Sequence, residues 1–400
     1  MAQMMRLNKE YQQKHSLREQ ENRRRTFWAC FQMDRLLAFL MNKPRTLSEN
    51  NIGVALPSTD ISVAYSEPTR GITLGSILSN SFSPSNVGLS PYYLKTISLW
   101  SDMADMNVCH RRFIDKLPPM DPQSLFFQRS KAVTDWHGSI PLGLEWSTAN
   151  YAAQCELGQG WLFVTTHLLL RSALCVAHQC YLPQMDGVSL LMDQVDAAGW
   201  PLLHREQAII STCLYNALEI GEILHSVIER DSSNNLTTEL VWIACSLLPA
   251  ANIFLWLCYA RKDGFADEAT CNRARTYFDS IQSLLSSWSA RWEIAHEWQT
   301  GLRIMEVTYR AAYLGEVPPD AEIEELSPST HRDEVASEYK PSPGDGGPLV
   351  SGVSNLYDSL RMITTEAASV DDMRAVWLYL AGGWSQEFGD FLLPTIGDGL

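Results

Sequence analysis

The sequence predicts an all-α fold: a large irregular multi-helix bundle with long loops and a disordered acidic linker. Apolar residues recur every three to four positions through most of the first 313 residues, the repeat of helices that bury one face. The 400 residues are 46% hydrophobic and include 13 Trp, enough for a large helical core or for two packed halves of one. Between Glu316 and Asp345, nine acids stand against Arg332 and Lys340, a net of −7, among Pro, Ser and Gly, a composition that does not pack. The chain therefore divides into a helical body (1–315), an acidic disordered linker (316–354) and a C-terminal helical or acidic-aromatic segment (355–400).

Glu21–Asp60 is the most informative stretch. Arg23, Arg24 and Arg25 lead into an aromatic amphipathic helix in which Phe27, Phe31, Ala38 and Met41 define one face, with Cys30 and Leu37 beside it. Asp34 falls on that face. A carboxylate in an apolar contact is costly unless paired, so a cation or a backbone amine is expected beside it. Pro44 cannot continue the helix and disfavours helix at Lys43. A polar turn then leads to an extended apolar run closing at Leu56-Pro57. Upstream, residues 1–25 carry seven Lys or Arg against three Glu, a net of +4, which reads as a solvated helix face or as a nuclear-import signal.

This stretch resembles the signature of the regulatory domain, or middle homology region, of fungal zinc-cluster (Zn2Cys6) transcription factors. The resemblance rests on Arg23, Arg24, Arg25, Thr26, Phe27 and Trp28, then Met33, Asp34 and Arg35, then Lys43, Pro44 and Arg45, and finally Leu56 and Pro57. Asn51 and Gly53 stand where the family carries acids. With less specificity, His167–Pro183, the series Cys213, Ala217, Ile220 and Ile223, and Trp288–Ala295 resemble later helices of the same domain. Met1–Asn8 resembles the end of an internal helix, so the resemblance implies that the chain opens mid-domain, with the zinc cluster upstream.

The remaining segments follow in order. Asp60–Leu89 is rich in Ser, Pro, Gly and Asn and reads as a long loop. Tyr92–Phe113 reads as a helix with a core stripe of Tyr93, Ile97, Trp100, Met103 and Met106. Phe126–Trp136 reads as another. Gly160–Leu182 is strongly apolar and places His167, Arg171 and His178 on one face, as satisfied polar groups in helix packing or as the lining of a ligand or metal site. Pro183–Pro201 reads as a loop. Glu206–Glu229 is amphipathic, with Ile209, Cys213, Leu214, Ala217, Ile220, Leu224 and Ile228 on its apolar side. Asn272–Tyr313 gives one or two helices in which Trp288, Trp292 and Trp298 suit a core. In the tail, Trp384, Glu387, Phe388, Asp390 and Phe391 interleave acids with aromatics, which suits an activation segment or a docked terminal helix.

Composition narrows the chemistry. A net charge of −15 makes the chain as a whole a poor nucleic-acid binder. Nine scattered cysteines, an odd number without a C-x2-C pair, suit a reducing compartment and lack the spacing of a zinc cluster. Cys175, His178 and Cys180 read as helix packing before metal binding. Leu240–Ala260 has the length of a membrane span, but Pro249 and Asn252 interrupt it, so a buried helix is expected and no membrane partner. Asp371-Asp372 is followed by Met373, Arg374 and Ala375, which lacks the third acid of a Mg2+-binding D-D-x-x-D. No nucleophile elbow, phosphate loop or dinucleotide fingerprint appears, and no enzyme activity is expected.

By resemblance, then, the chain is expected to be the regulatory portion of a nuclear transcription regulator acting on a dedicated metabolic or biosynthetic gene set read by RNA polymerase II. The alternative is a DNA-binding-deficient auxiliary or dominant-negative regulator that acts through protein contacts. The resemblance implies transcription machinery or a coactivator as partner and leaves open a homodimer and a small-molecule effector. DNA contact and zinc would belong to the upstream module, with no cofactor in this chain.

Overall fold

A computed structural model describes residues 4–10, 15–40, 44–58, 71–77, 88–108, 117–182, 202–230, 241–259 and 266–314. Every regular element among them is helical, and the one bridge between extended segments is the isolated parallel pair Lys9 and Gly53. The acidic segment 316–354, the region 355–400 and the loop Pro183–Pro201 lie outside the described residues. The chain separates into two compact units, residues 1–39 with 43–177 and residues 40–42 with 178–400.

The first unit contains α1 (Leu17–Leu40), the short α2 (Leu74–Ile77), α3 (Leu89–Val108), α4 (Leu125–Gly138), α5 (Thr148–Glu156) and most of α6 (Gly160–His178). The expected loop over 60–89 is therefore interrupted by one helical turn, whose Leu74 and Ile77 are buried. The unit is built around α3. Sequence periodicity suggested a stripe, whereas residues 91–101 are all buried, because neighbours cover several sides. Phe39 of α1 meets Trp100 edge-on at 5.1 Å, Trp136 of α4 stacks on Tyr92 at 5.5 Å, and the Trp100 Nε1–H donates to Ser172 Oγ of α6 at 3.2 Å. Thr96, a polar residue within α3, is satisfied by Trp136 Nε1 at 3.0 Å, as buried polar groups must be.

Local signals explain the helix ends. Ser124 and Ser147 cap α4 and α5 by accepting from Phe127 N and Asn150 N. Helix α5 closes on Gly158 at φ 69°, with Gly158 N bonded to Cys155 O and Gln159 N to Gln154 O, the paired bonds of a Schellman motif.

The second unit is formed by α7 (Leu202–Arg230), α8 (Ala244–Tyr259), α9 (Glu268–Ser289) and α10 (Glu293–Leu314), with α8 packed against the other three. Residues 244–257 of α8 are almost entirely buried, so the apolar run at 240–260 is a 16-residue core helix. Its Asn252 donates to Gln179 Oε1 at 3.2 Å and accepts from the Tyr309 hydroxyl at 3.1 Å, which satisfies the amide inside the core. Gly160–Tyr181 also has the length and composition to cross a membrane, and 89% of that window is buried within the protein. On α7 the apolar side ends at Val227, with Ile228 turned outward. Trp288 and Trp298 are buried and Trp292 half-buried at the tight turn between α9 and α10.

Candidate functional site

The signature residues assemble around α1 into a two-ended clasp. Its apolar centre is Phe27, Trp28 and Phe31, all at most 1% exposed, with Trp28 edge-on to both neighbours at 5.2 and 5.1 Å. The Trp28 Nε1–H donates to Ala55 O at 2.8 Å, tying the helix to the buried run Val54, Ala55 and Leu56. Leu56 N in turn donates to Ile72 O at 2.7 Å, and Pro57 follows half-buried.

At the N-terminal end, the basic run pairs within the protein, with Arg24 buried and Arg25 exposed. Arg24 is buried and grips the Glu10 carboxylate with Nε at 3.2 Å and Nη2 at 2.8 Å, with Glu21 at 3.5 Å. Glu10 also accepts from Ala55 N at 3.1 Å. Glu21 accepts from Arg25 Nε at 3.0 Å and from Ser58 N at 2.9 Å, while Arg25 Nη2 donates to Ser58 O at 3.3 Å. Arg23 reaches Met5 O at 3.3 Å. Thr26 is exposed and back-bonds to Asn22 O. The run is thus not a uniformly solvated face: two of its three arginines hold carboxylates that also accept from the backbone of 55–58.

At the C-terminal end, Asp34 has both kinds of partner: Thr46 N at 2.9 Å and Leu47 N at 3.2 Å as backbone amines, the Thr46 hydroxyl, and Arg35 Nη1 at 2.5 Å. Arg35, only 2% exposed, stacks on the Phe31 ring at 4.1 Å and donates to Leu47 O at 2.8 Å and Glu49 Oε1 at 3.4 Å. Burial pulls the Arg35 pKa down, Arg45 adds to this, and Glu49 and Asp34 oppose it. Arg45, after the exposed Pro44, bonds Ser101 Oγ at 3.0 Å and Asp102 at 2.8 Å on α3, and lies 3.5 Å from Asp105. Glu49 accepts from Ser98 Oγ at 2.7 Å, so the turn after α1 is fixed to α3 twice. Asn51 and Gly53 engage through main chain: Asn8 Nδ2 donates to Asn51 O and Gly53 N to Asn8 O, each at 2.9 Å.

The buried face of α1 is wider than the apolar spacing predicts. Arg24, Arg35, Leu36, Phe39 and Leu40 also face inward, whereas Cys30 and Leu37 are half-buried and Met41 lies outside the described residues. Glu10 and Glu21, which enter the sequence only as charges, are the acids that hold the N-terminal end. The spacing of Glu21 to Arg24 and Arg25, three and four residues, was the available signal.

A second cluster surrounds His167. Its Nε2–H donates to Leu144 O at 2.9 Å, and its ring lies against Phe163 at 4.6 Å and Trp146 at 5.7 Å. Burial drives its pKa to about 4, so the imidazole is neutral at pH 7. Leu144, Trp146 and Phe163 account for the His167 position on the predicted face through packing. Among the described residues, no group of three or more His, Cys, Asp or Glu is arranged to hold a metal ion. The aromatic-acidic tail lies outside the described residues.

The charged residues of α1 thus fix its own N-terminal arm and the turn after it within an all-helical scaffold. Residues 1–152 match the family described as the fungal specific transcription factor domain. The chain is similar to two uncharacterized transcriptional regulatory proteins of Schizosaccharomyces pombe. One is 25% identical over 175 residues, covering 39% of this chain and 25% of the relative, and the other 28% over 169 residues, covering 40% and 17%. It is also similar to the Zn(2)-C6 fungal-type transcription factor FTF1c of Fusarium oxysporum, 24% identical over 162 residues, covering 38% of this chain and 17% of the relative. The matched region spans a quarter or less of the length of these relatives. No solved structure matches the chain.

Proposed function

We propose that this chain is the regulatory portion of a nuclear transcription regulator of the zinc-cluster family, controlling a dedicated metabolic or biosynthetic gene set through the transcription machinery, and that it is not an enzyme. The observation that carries the reading is the clasp: Arg24, Arg25 and Trp28 of the signature hold α1, the arm at 5–10 and the run at 54–58 together. Such a lock is a means of keeping a regulatory body in one conformation. Zinc enters this reading only through a Zn(2)-C6 module of the kind named in the Fusarium relative. A homodimer and a small-molecule effector remain parts of the same reading. Residues 316–354 act as a solvated linker, and Trp384, Glu387, Phe388, Asp390 and Phe391 as contacts for a coactivator groove.

The test is a tethering assay. The full chain is fused to an unrelated DNA-binding domain and a reporter carries that domain's operator. Reporter transcription is expected to change several-fold from the level given by the DNA-binding domain alone, and alanine replacement of the five tail residues is expected to reduce the change. A reporter level equal to that of the DNA-binding domain alone, at matched protein abundance, contradicts the reading.

A further inference from the structure

We propose that Cys258 and Cys271 form a peroxide-responsive pair whose disulfide fastens the end of α8 to the first turn of α9. The two residues stand thirteen apart in the chain. Cys258 Sγ lies 3.9 Å from Cys271 O, and Cys271 Sγ lies 3.4 Å from Leu257 O, the carbonyl next to Cys258. Each sulfur is therefore parked against the backbone that carries the other. Both side chains lie where α8 and α9 meet, each against the main chain at or beside the other residue.

Exposure sets the order of events. Cys258 is half-buried on the last turn of α8, open to a small oxidant, whereas Cys271 is buried. The Cys258 thiol ionises, its thiolate attacks hydrogen peroxide, the O–O bond breaks, and the released proton joins the departing hydroxide, so that Cys258 sulfenic acid and one water form. The Cys271 thiol then attacks the sulfenic sulfur, the S–O bond breaks, and a disulfide and a second water leave. Two thiols and one peroxide thus give one disulfide and two waters, and a thiol reductant reverses the change.

The bond would reinforce a corner that is already held at other points. Tyr259, beside Cys258, packs on Tyr313 of α10 at 6.0 Å, and Arg275, one turn beyond Cys271, bridges Asp279 of α9 and Glu306 of α10. Closing a short loop there restricts the unfolded chain, so oxidation should stabilise the second unit.

The full chain, purified reduced, is treated with hydrogen peroxide, alkylated and digested without reductant. The expected product is a Cys258 peptide linked to a Cys271 peptide, abolished by dithiothreitol and absent from Cys258→Ser and Cys271→Ser. The thermal midpoint is expected to rise by several degrees on oxidation of the unaltered chain and to stay fixed in Cys258→Ser, where the substituted site is half-buried and tolerant. Recovery of Cys258 as an unlinked alkylated or sulfinic product, linkage of either residue to a different cysteine, or a linked pair without a rise in midpoint would each overturn the proposal.

Discussion

Trp28 joins two segments with one side chain, filling the centre of the clasp and donating its indole N–H to Ala55 O. Trp28→Phe keeps an aromatic ring but removes the donor and part of the buried volume, and is expected to destabilise the first unit by about 2–3 kcal/mol in denaturant unfolding. Asp34→Ala removes the carboxylate that receives Thr46 N, Leu47 N and Arg35, leaving a buried guanidinium with Glu49 as its remaining acid, and should cost about 3 kcal/mol. His167 supplies a pH prediction. Its folded pKa of about 4 lies below the unfolded value of 6.5, so the unfolded chain binds the extra proton between them. Stability is therefore complete above pH 6.5 and falls by about 3 kcal/mol as pH drops toward 4. His167→Gln, which can still donate to Leu144 O and does not titrate, should flatten that part of the pH profile. Asp34 shows what was legible at this scale: a carboxylate on an apolar helix face required a partner, and burial economics said so. The identity of that partner was not legible, because Thr46, Leu47 and Glu49 reach Asp34 and Arg35 only after the chain turns back beyond Pro44.

Helices reveal their ends more readily than their surroundings. Pro44 limits α1, which is described to Leu40, and the Ser residues at 124 and 147 supply caps, yet α3 showed a stripe in sequence and is buried nearly all round. Its Thr96, Ser98 and Ser101 look solvent-seeking until Trp136, Glu49 and Arg45 arrive from distant parts of the chain. The same limit applies to Gly221 on α7. A Cβ there would stand 2.1 Å from the Tyr277 ring, whose hydroxyl donates to Glu222 at 2.7 Å while burial, with that bond, lifts its pKa to about 12. Gly221→Ala is expected to cost about 1–3 kcal/mol through the forced shift of that ring. Gly158→Ala meets open space at Cβ but keeps a φ of 69°, so its cost should be about 1 kcal/mol and arise from the backbone alone. Chemical denaturation of the two variants, side by side, separates steric from conformational loss.

For the whole molecule, charge is distributed by role. The segment 1–25 carries a net of +4 in a chain whose total is −15, a contrast that suggests a basic surface. Arg24 and Arg25 close on Glu10 and Glu21, so these two arginines act on conformation, and the net of +4 rests on the other cations of the segment. The division of the chain into two units could not be read from periodicity, because the apolar repeat runs through both alike. The most direct test of the account is a double-mutant cycle on Arg24→Met and Glu10→Gln, read by denaturant unfolding at two salt concentrations. A buried bidentate pair predicts a coupling of about 1–3 kcal/mol that barely changes with salt. Additive single-mutant effects, with a coupling below about 0.5 kcal/mol, would contradict it and return the basic run to the role of an exposed, partner-binding surface.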